Sequence, residues 1–144
     1  MELAQIKNLD IYYLIKQDLS GKSTNSKSIV SAIGIHLKSQ QNKLDYQFEY
    51  TLEDIYKYDT SESQYKSEDA FQYHIEVGYQ LNKIHVGMGS SVASEHFDQL
   101  YPTGHKWLGY ADLFKRQNIT QKILKVDYQY SEKTLLILQI NYFR

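Results

Sequence analysis

Period-two alternation of apolar and polar side chains constrains this chain more than any other feature. In residues 44–52 the even positions are Leu44, Tyr46, Phe48, Tyr50 and Leu52, with Asp45, Gln47, Glu49 and Thr51 between them. In residues 71–81 the odd positions are Phe71, Tyr73, Ile75, Val77, Tyr79 and Leu81, opposite Gln72, His74, Glu76, Gly78 and Gln80. Successive side chains of a strand point to opposite faces, so both stretches read as strands with one apolar and one polar face. No helical period fits either of them.

Weaker copies fill much of the rest. Ile29, Ile33, Ile35 and Leu37 share one face. Ile84, Val86, Met88 and Val92 oppose His85, Gly87, Gly89 and Ser91. Leu124, Val126, Tyr128 and Tyr130 oppose Lys125, Asp127 and Gln129. Leu136, Leu138, Ile140 and Tyr142 mark a last strand, blurred by Leu135 and Ile137, and residues 9–17 read as a blurred first one. This predicts about seven strands, most of them near the roughly 9 to 11 residues with which a tilted strand crosses a bilayer.

The connections carry a second pattern. Residues 38–43, 82–83 and 131–133 are short links, whereas 18–28, 53–70 and 93–121 are long and polar. They alternate along the chain, so an up-and-down sheet collects the short links at one end and the long ones at the other. Outer-membrane barrels have this asymmetry, with short periplasmic turns and long extracellular loops. A short helical turn is expected around residues 108–116.

Composition removes several classes. Lys and Arg number 16 against 17 Asp and Glu, for a net charge of −1, which argues against a general nucleic-acid binder. Cysteine is absent, so there is no disulfide and no thiolate metal site. No apolar run approaches the roughly 18 to 20 residues of a membrane helix, but barrel strands average out as hydrophilic. The 14 tyrosines suit half-buried strands and sites where a ring meets a wet edge, and several lie near the ends of the apolar rows, as in an interfacial girdle. Residues 1–10 lack the basic and apolar regions of a signal peptide.

Alternation alone does not say which face meets water. A soluble barrel turns its apolar face inward, and a membrane barrel turns it outward to lipid. Strand length, the sorting of connections and tyrosine placement favour the second. The expected fold class is all-β: an up-and-down antiparallel transmembrane β-barrel with about seven to eight strands present, one domain over residues 1–144 and part of a larger barrel. The alternatives are a soluble up-and-down β-barrel that binds a small ligand and a surface carbohydrate-binding β-sheet protein.

A motif in the third long connection sharpens this expectation. Phe97-Asp98-Gln99-Leu100-Tyr101-Pro102-Thr103-Gly104-His105 leads into Gly109-Tyr110-Ala111-Asp112 and then Arg116-Gln117-Asn118-Ile119. This resembles the loop signature of the alginate-export family of outer-membrane porins. Ala93-Ser94-Glu95 stands where that family tends to have Ala-Ser-Gly-Asp, a departure that removes a turn glycine. Leu9-Asp10-Ile11-Tyr12-Tyr13, residues 44–49 and Glu76-Val77-Gly78-Tyr79 are similar to successive strands of the family, in order. The resemblance implies a porin-like channel in the outer membrane that passes an anionic, alginate-like polysaccharide or other small polar solutes by diffusion, without a cofactor. It also implies that the chain is an internal to C-terminal portion of a barrel, which would account for the missing signal peptide.

The motif residues singled out are Phe97, Pro102, Thr103, Gly104, His105, Gly109, Ala111, Asp112 and Asn118. A pore for polyanions wants cations at its constriction, and Lys106, Lys115 and Arg116 lie in or beside this loop, which is expected to fold inward, while Lys125 is on a polar face. Asp45, Glu49, Glu76 and Asp127 share that polar face and oppose a purely anion-attracting lining. His74 and His85 are not placed as cross-strand partners, and His96 and His105 lack companion ligands, so no metal site is expected. No nucleophile elbow or phosphate loop occurs, so no catalytic residues are expected.

Overall fold

The computed structural model describes residues 8–18, 28–59, 64–98, 100 and 117–144. Seven strands form one sheet in chain order: β1 (Asn8–Asp18), β2 (Ser28–Gln41), β3 (Leu44–Asp59), β4 (Gln64–Leu81), β5 (Ile84–Ala93), β6 (Ile119–Ser131) and β7 (Thr134–Phe143). Every neighbouring pair is antiparallel. The described residues contain no helix. The fold is an all-β, up-and-down meander, and the register fixes which side chains share each face.

Hairpins close one end of the sheet tightly. Asn42-Lys43 joins β2 to β3 and Asn82-Lys83 joins β4 to β5. Asn42 and Asn82 adopt φ of 54° and 49°, left-handed values that asparagine tolerates better than most residues. At Glu132-Lys133 no residue has a positive φ. There the register slips between Gln129 and Ser131, so a bulge at Tyr130 absorbs the mismatch between turn and strand twist.

Residues 53–59 and 64–70 of the expected long link are instead strand. β3 continues to Asp59 and β4 starts at Gln64, with Glu53 paired to Ala70 and Asp59 to Gln64. Charge on both faces hides the period, because ladder hydrogen bonds need no apolar side chain. Lys57 Nζ bonds Glu68 Oε2 at 2.7 Å, and the Tyr58 and Tyr65 rings pack with centroids 4.9 Å apart. Cross-strand pairs of these kinds stabilise the ribbon beyond the buried Ile55 and Ala70. The helical turn expected around residues 108–116 lies outside the described residues.

The two faces of the sheet differ in chemistry and in exposure. Leu9, Ile11, Tyr13 and Ile15 of β1 pair in register with Leu37, Ile35, Ile33 and Ser31 of β2, and the row continues through Phe48, Tyr50 and Leu52 of β3 and Phe71, Tyr73 and Ile75 of β4. Much of this apolar face is open: Ile11 is 73% exposed, Met88 64% and Ile75 45%. The opposite face holds Thr51, Glu53, Gln72, His74, Ser91 and Gln121, all buried. Among the described residues it also carries an apolar cluster of Val30, Ile55, Ala70, Ala93 and Phe97, flanked by Leu100 and Ile119, at the end carrying the longer connections.

Candidate functional site: the concave polar face

On the polar face, side chains two strands apart meet. Adjacent strands lie about 4.8 Å apart, so such contacts require long side chains, a curved sheet and little in between. Tyr12 of β1 reaches across β2 to Thr51 of β3, with 2.6 Å between Oη and Oγ1, and donates a longer bond to Glu49 Oε1 at 3.3 Å. Gly34 lies beneath the ring, and a Cβ there would overlap it. His85 of β5 likewise reaches across β4 to Asp45 of β3, with Nε2 2.7 Å from Oδ2. Gly78 lies beneath that pair, and a Cβ there would strike both side chains. A glycine on the middle strand thus opens each path, and the contact draws the outer strands together. The polar side is therefore the inside of the curve.

Polar side chains on this face form two connected groups. Near the middle, Gln72 Nε2 donates to Glu49 Oε1 at 3.1 Å and Thr51 Oγ1 at 2.9 Å, joining the Tyr12 group. Nearer the short turns, His85 Nδ1 is 3.5 Å from Asp127 Oδ2, and Lys125 Nζ is 3.3 Å from the same carboxylate oxygen. Asp45, His85 and Lys125 of this second group border a pocket of about 510 Å³ with Asn8, Lys38, Gln47 and Glu76 on its wall. Amides, carboxylates and ammonium groups line it together with Tyr46, a mixed surface that suits hydrated polar solutes.

Lys125 is on this face, as the alternation predicts, but beside Asp127 its charge is partly answered. The alternation also places Asp45, Glu49, Glu76 and Asp127 here. His74 is paired in register with Ser91, and His85 with Gln80, so the two histidines are not partners. No group of three or more His, Cys, Asp or Glu side chains placed to hold a metal occurs among the described residues.

The third long connection enters and leaves the wall at a defined point. Ser94 N donates to Phe71 O at 2.9 Å, Phe71 N donates to Ser94 Oγ at 2.9 Å, and Asn118 N donates to Ser94 O at 3.0 Å. Asn118 takes a φ of 48° at this junction. From it the chain turns inward: Phe97 is 7% exposed in the apolar cluster, Asp98 N donates to Glu53 Oε2 at 2.8 Å, and Lys16 Nζ bonds Asp98 Oδ2 at 2.7 Å. Of the motif and pore-lining residues read from the sequence, Phe97, Asn118 and Lys125 are thereby placed. Pro102, Thr103, Gly104, His105, Lys106, Gly109, Ala111, Asp112, Lys115 and Arg116 lie outside the described residues.

No protein-family model, curated protein or solved structure matches the chain. The likeness of the third connection to the alginate-export signature therefore rests on its own residues. Sequence reading quoted Tyr12, Gly78 and Asp98 within its strands and motif but gave them no role, and it singled out neither Gly34 nor Glu53. The available signal was glycine at inward positions of otherwise regular strands, where close approach of another group is one of the few reasons to forgo a side chain.

Proposed function

We propose that this chain builds part of the wall of an outer-membrane β-barrel channel, with its apolar face against lipid and its concave polar face lining a wet passage. The observation that carries this is the inverted exposure: large apolar side chains stand open on the convex side while polar ones are sheltered on the concave side. A soluble barrel needs those apolar rows to converge in its interior, and here they diverge.

The outline of the apolar face supports the same reading. From β1 to β6 its upper limit steps down, from Ile15 through Leu52 and Phe71 on β3 and β4 to Val92 and Leu124 on β5 and β6, with Tyr56 on β3 and Tyr142 on β7 lying beyond it. A level lipid slab cuts tilted strands in this way. Beyond the limit, Asp54 and Asp69 face outward opposite each other, and Lys122 Nζ bonds Ser90 Oγ at 3.0 Å. On this reading the membrane-spanning part of β3 is residues 44–52 and that of β4 is residues 71–81, and the charged ribbon beyond them stands clear of the lipid.

The passage takes small polar solutes, and the motif of the third connection extends that class to an anionic, alginate-like polysaccharide. Lys106, Lys115 and Arg116 are the cations that would meet such a polymer, because Lys125 is shared with Asp127. Transport is by diffusion, without catalysis or cofactor. Conductance across planar bilayers tests this. Reconstituted protein is expected to give discrete current steps that polyuronate oligomers reduce in a dose-dependent way. Steps insensitive to the polyanion remove the polysaccharide assignment, and an absence of steps removes the channel.

A further inference from the structure

We propose that residues 94–98 form a clasp, closed across the concave face, whose grip on the wall is set by the protonation of Glu53. This goes beyond the channel reading and does not require it, because every contact involved lies within the described fold.

Three observations meet at this point. First, Phe97 is inserted into a socket of Val30, Ile55, Ala70 and Ala93, in which two alanines leave room for its ring. Second, Glu53 is 4% exposed and accepts the Asp98 N–H at 2.8 Å, so a carboxyl that would otherwise meet water is sealed by the clasp. Third, the charges around it are mismatched. Its register neighbours are Ala32 on β2 and Ala70 on β4, which supply no cation. Lys16 on β1 is the nearby cation, and it bonds Asp98 at 2.7 Å. Asp98 itself brings a second negative charge against Glu53.

The titration follows from this geometry. Glu53 lies past the apolar band of β3, and burial pushes its carboxyl from 4.5 up to about 7. The Asp98 N–H bond pulls it down, the Asp98 charge raises it further, and Lys16 lowers it. Opening the clasp would return Glu53 to water and to an ordinary carboxyl value. The closed form therefore binds the proton more tightly. Closure is strongest at acid pH and weakens as pH rises from about 4.5 to about 7. The full swing in the open-to-closed ratio is on the order of a hundredfold. The other titratable groups at hand are His96 of the clasp, 3.4 Å from Glu68 on β4, and Lys57 on β3, which bonds Glu68.

The experiment places spin labels at Glu95→Cys in the clasp and Gln17→Cys on β1 of the full chain. It measures their separation from pH 4 to pH 9, with strand content monitored alongside. The expected result is a short distance at low pH that gives way to a longer one, with a midpoint between about 4.5 and 7. Glu53→Gln should hold the short distance throughout. Asp98→Asn removes the like charge that raises the closed-form value, so it should shrink the pH-dependent change in distance, and His96→Asn should leave the midpoint in place. An unchanged distance in the parent across this range overturns the proposal. So does a transition that survives Glu53→Gln, or one that His96→Asn abolishes. If Glu53→Gln fails to form the sheet, Asp98→Asn decides: a pH-dependent change in distance as large as the parent's or larger overturns it.

Discussion

Gly34 and Gly78 show how a missing side chain gives a strand its function. Each lies under a side chain that spans three strands, Tyr12 in one case and His85 in the other. Gly34→Ala puts a methyl group where the Tyr12 ring lies, and overpacking of this kind costs about 1–3 kcal/mol. The expected signature in urea unfolding of the refolded protein is non-additivity: Tyr12→Ala with Gly34→Ala should cost clearly less than the sum of the single changes. Strict additivity would mean that the ring and the glycine act independently. The glycines are plain in the sequence, but their purpose depends on which strands are neighbours and how far the sheet curls. Glu53 is hidden for a related reason. It reads as one more carboxylate in a charged stretch until residues 94–98 fold over it.

The elements differ in how openly their sequences declare them. In β4 the apolar and polar rows separate cleanly over residues 71–81, so both faces are legible residue by residue. Its first half is not, because Lys66, Glu68 and Asp69 put charge on both sides and leave pairing to the backbone and to local bridges. The Lys57–Glu68 bridge holds the Glu68 carboxyl below its ordinary value, chiefly through that hydrogen bond. A lowered carboxylate value contributes stability above the unfolded value and loses it as pH falls through the folded one. Amide protection factors in residues 53–59 and 64–70 should therefore fall selectively in acid, below about pH 4.5, and Lys57→Met should produce the same loss of protection at neutral pH. Equal protection at both pH values would show that the bridge contributes nothing. At the opposite end, the left-handed Asn82 predicts that Asn82→Val costs about 1–2 kcal/mol while Asn82→Gly is nearly neutral, read from the midpoint of chemical unfolding.

The whole molecule presents a choice of solvent for each face. Seven antiparallel strands with an open apolar convex side and a sheltered polar concave side suit a wall between lipid and water. Both rows were readable in the chain, but their directions were not, since alternation is the same in either solvent. The contacts of Tyr12 and His85 across the concave side settle the sense of curvature. On the proposed reading Ile75 faces lipid near the middle of the band, where charge is tolerated poorly, so Ile75→Arg should lower folding stability in bilayers by about 2–4 kcal/mol. The same substitution in a water-facing row should cost far less, as read from folding titrations in vesicles. The most direct test of the central claim is a scan of spin labels through residues 71–81 of protein reconstituted in vesicles. Collision with oxygen, which concentrates in lipid, is compared with collision with a water-soluble nickel complex. A lipid-facing row predicts high oxygen and low nickel accessibility at Phe71, Tyr73, Ile75, Val77 and Tyr79, with the ratio falling at each residue between them. Odd positions that collide freely with nickel, or that are shielded from both reagents, would contradict it.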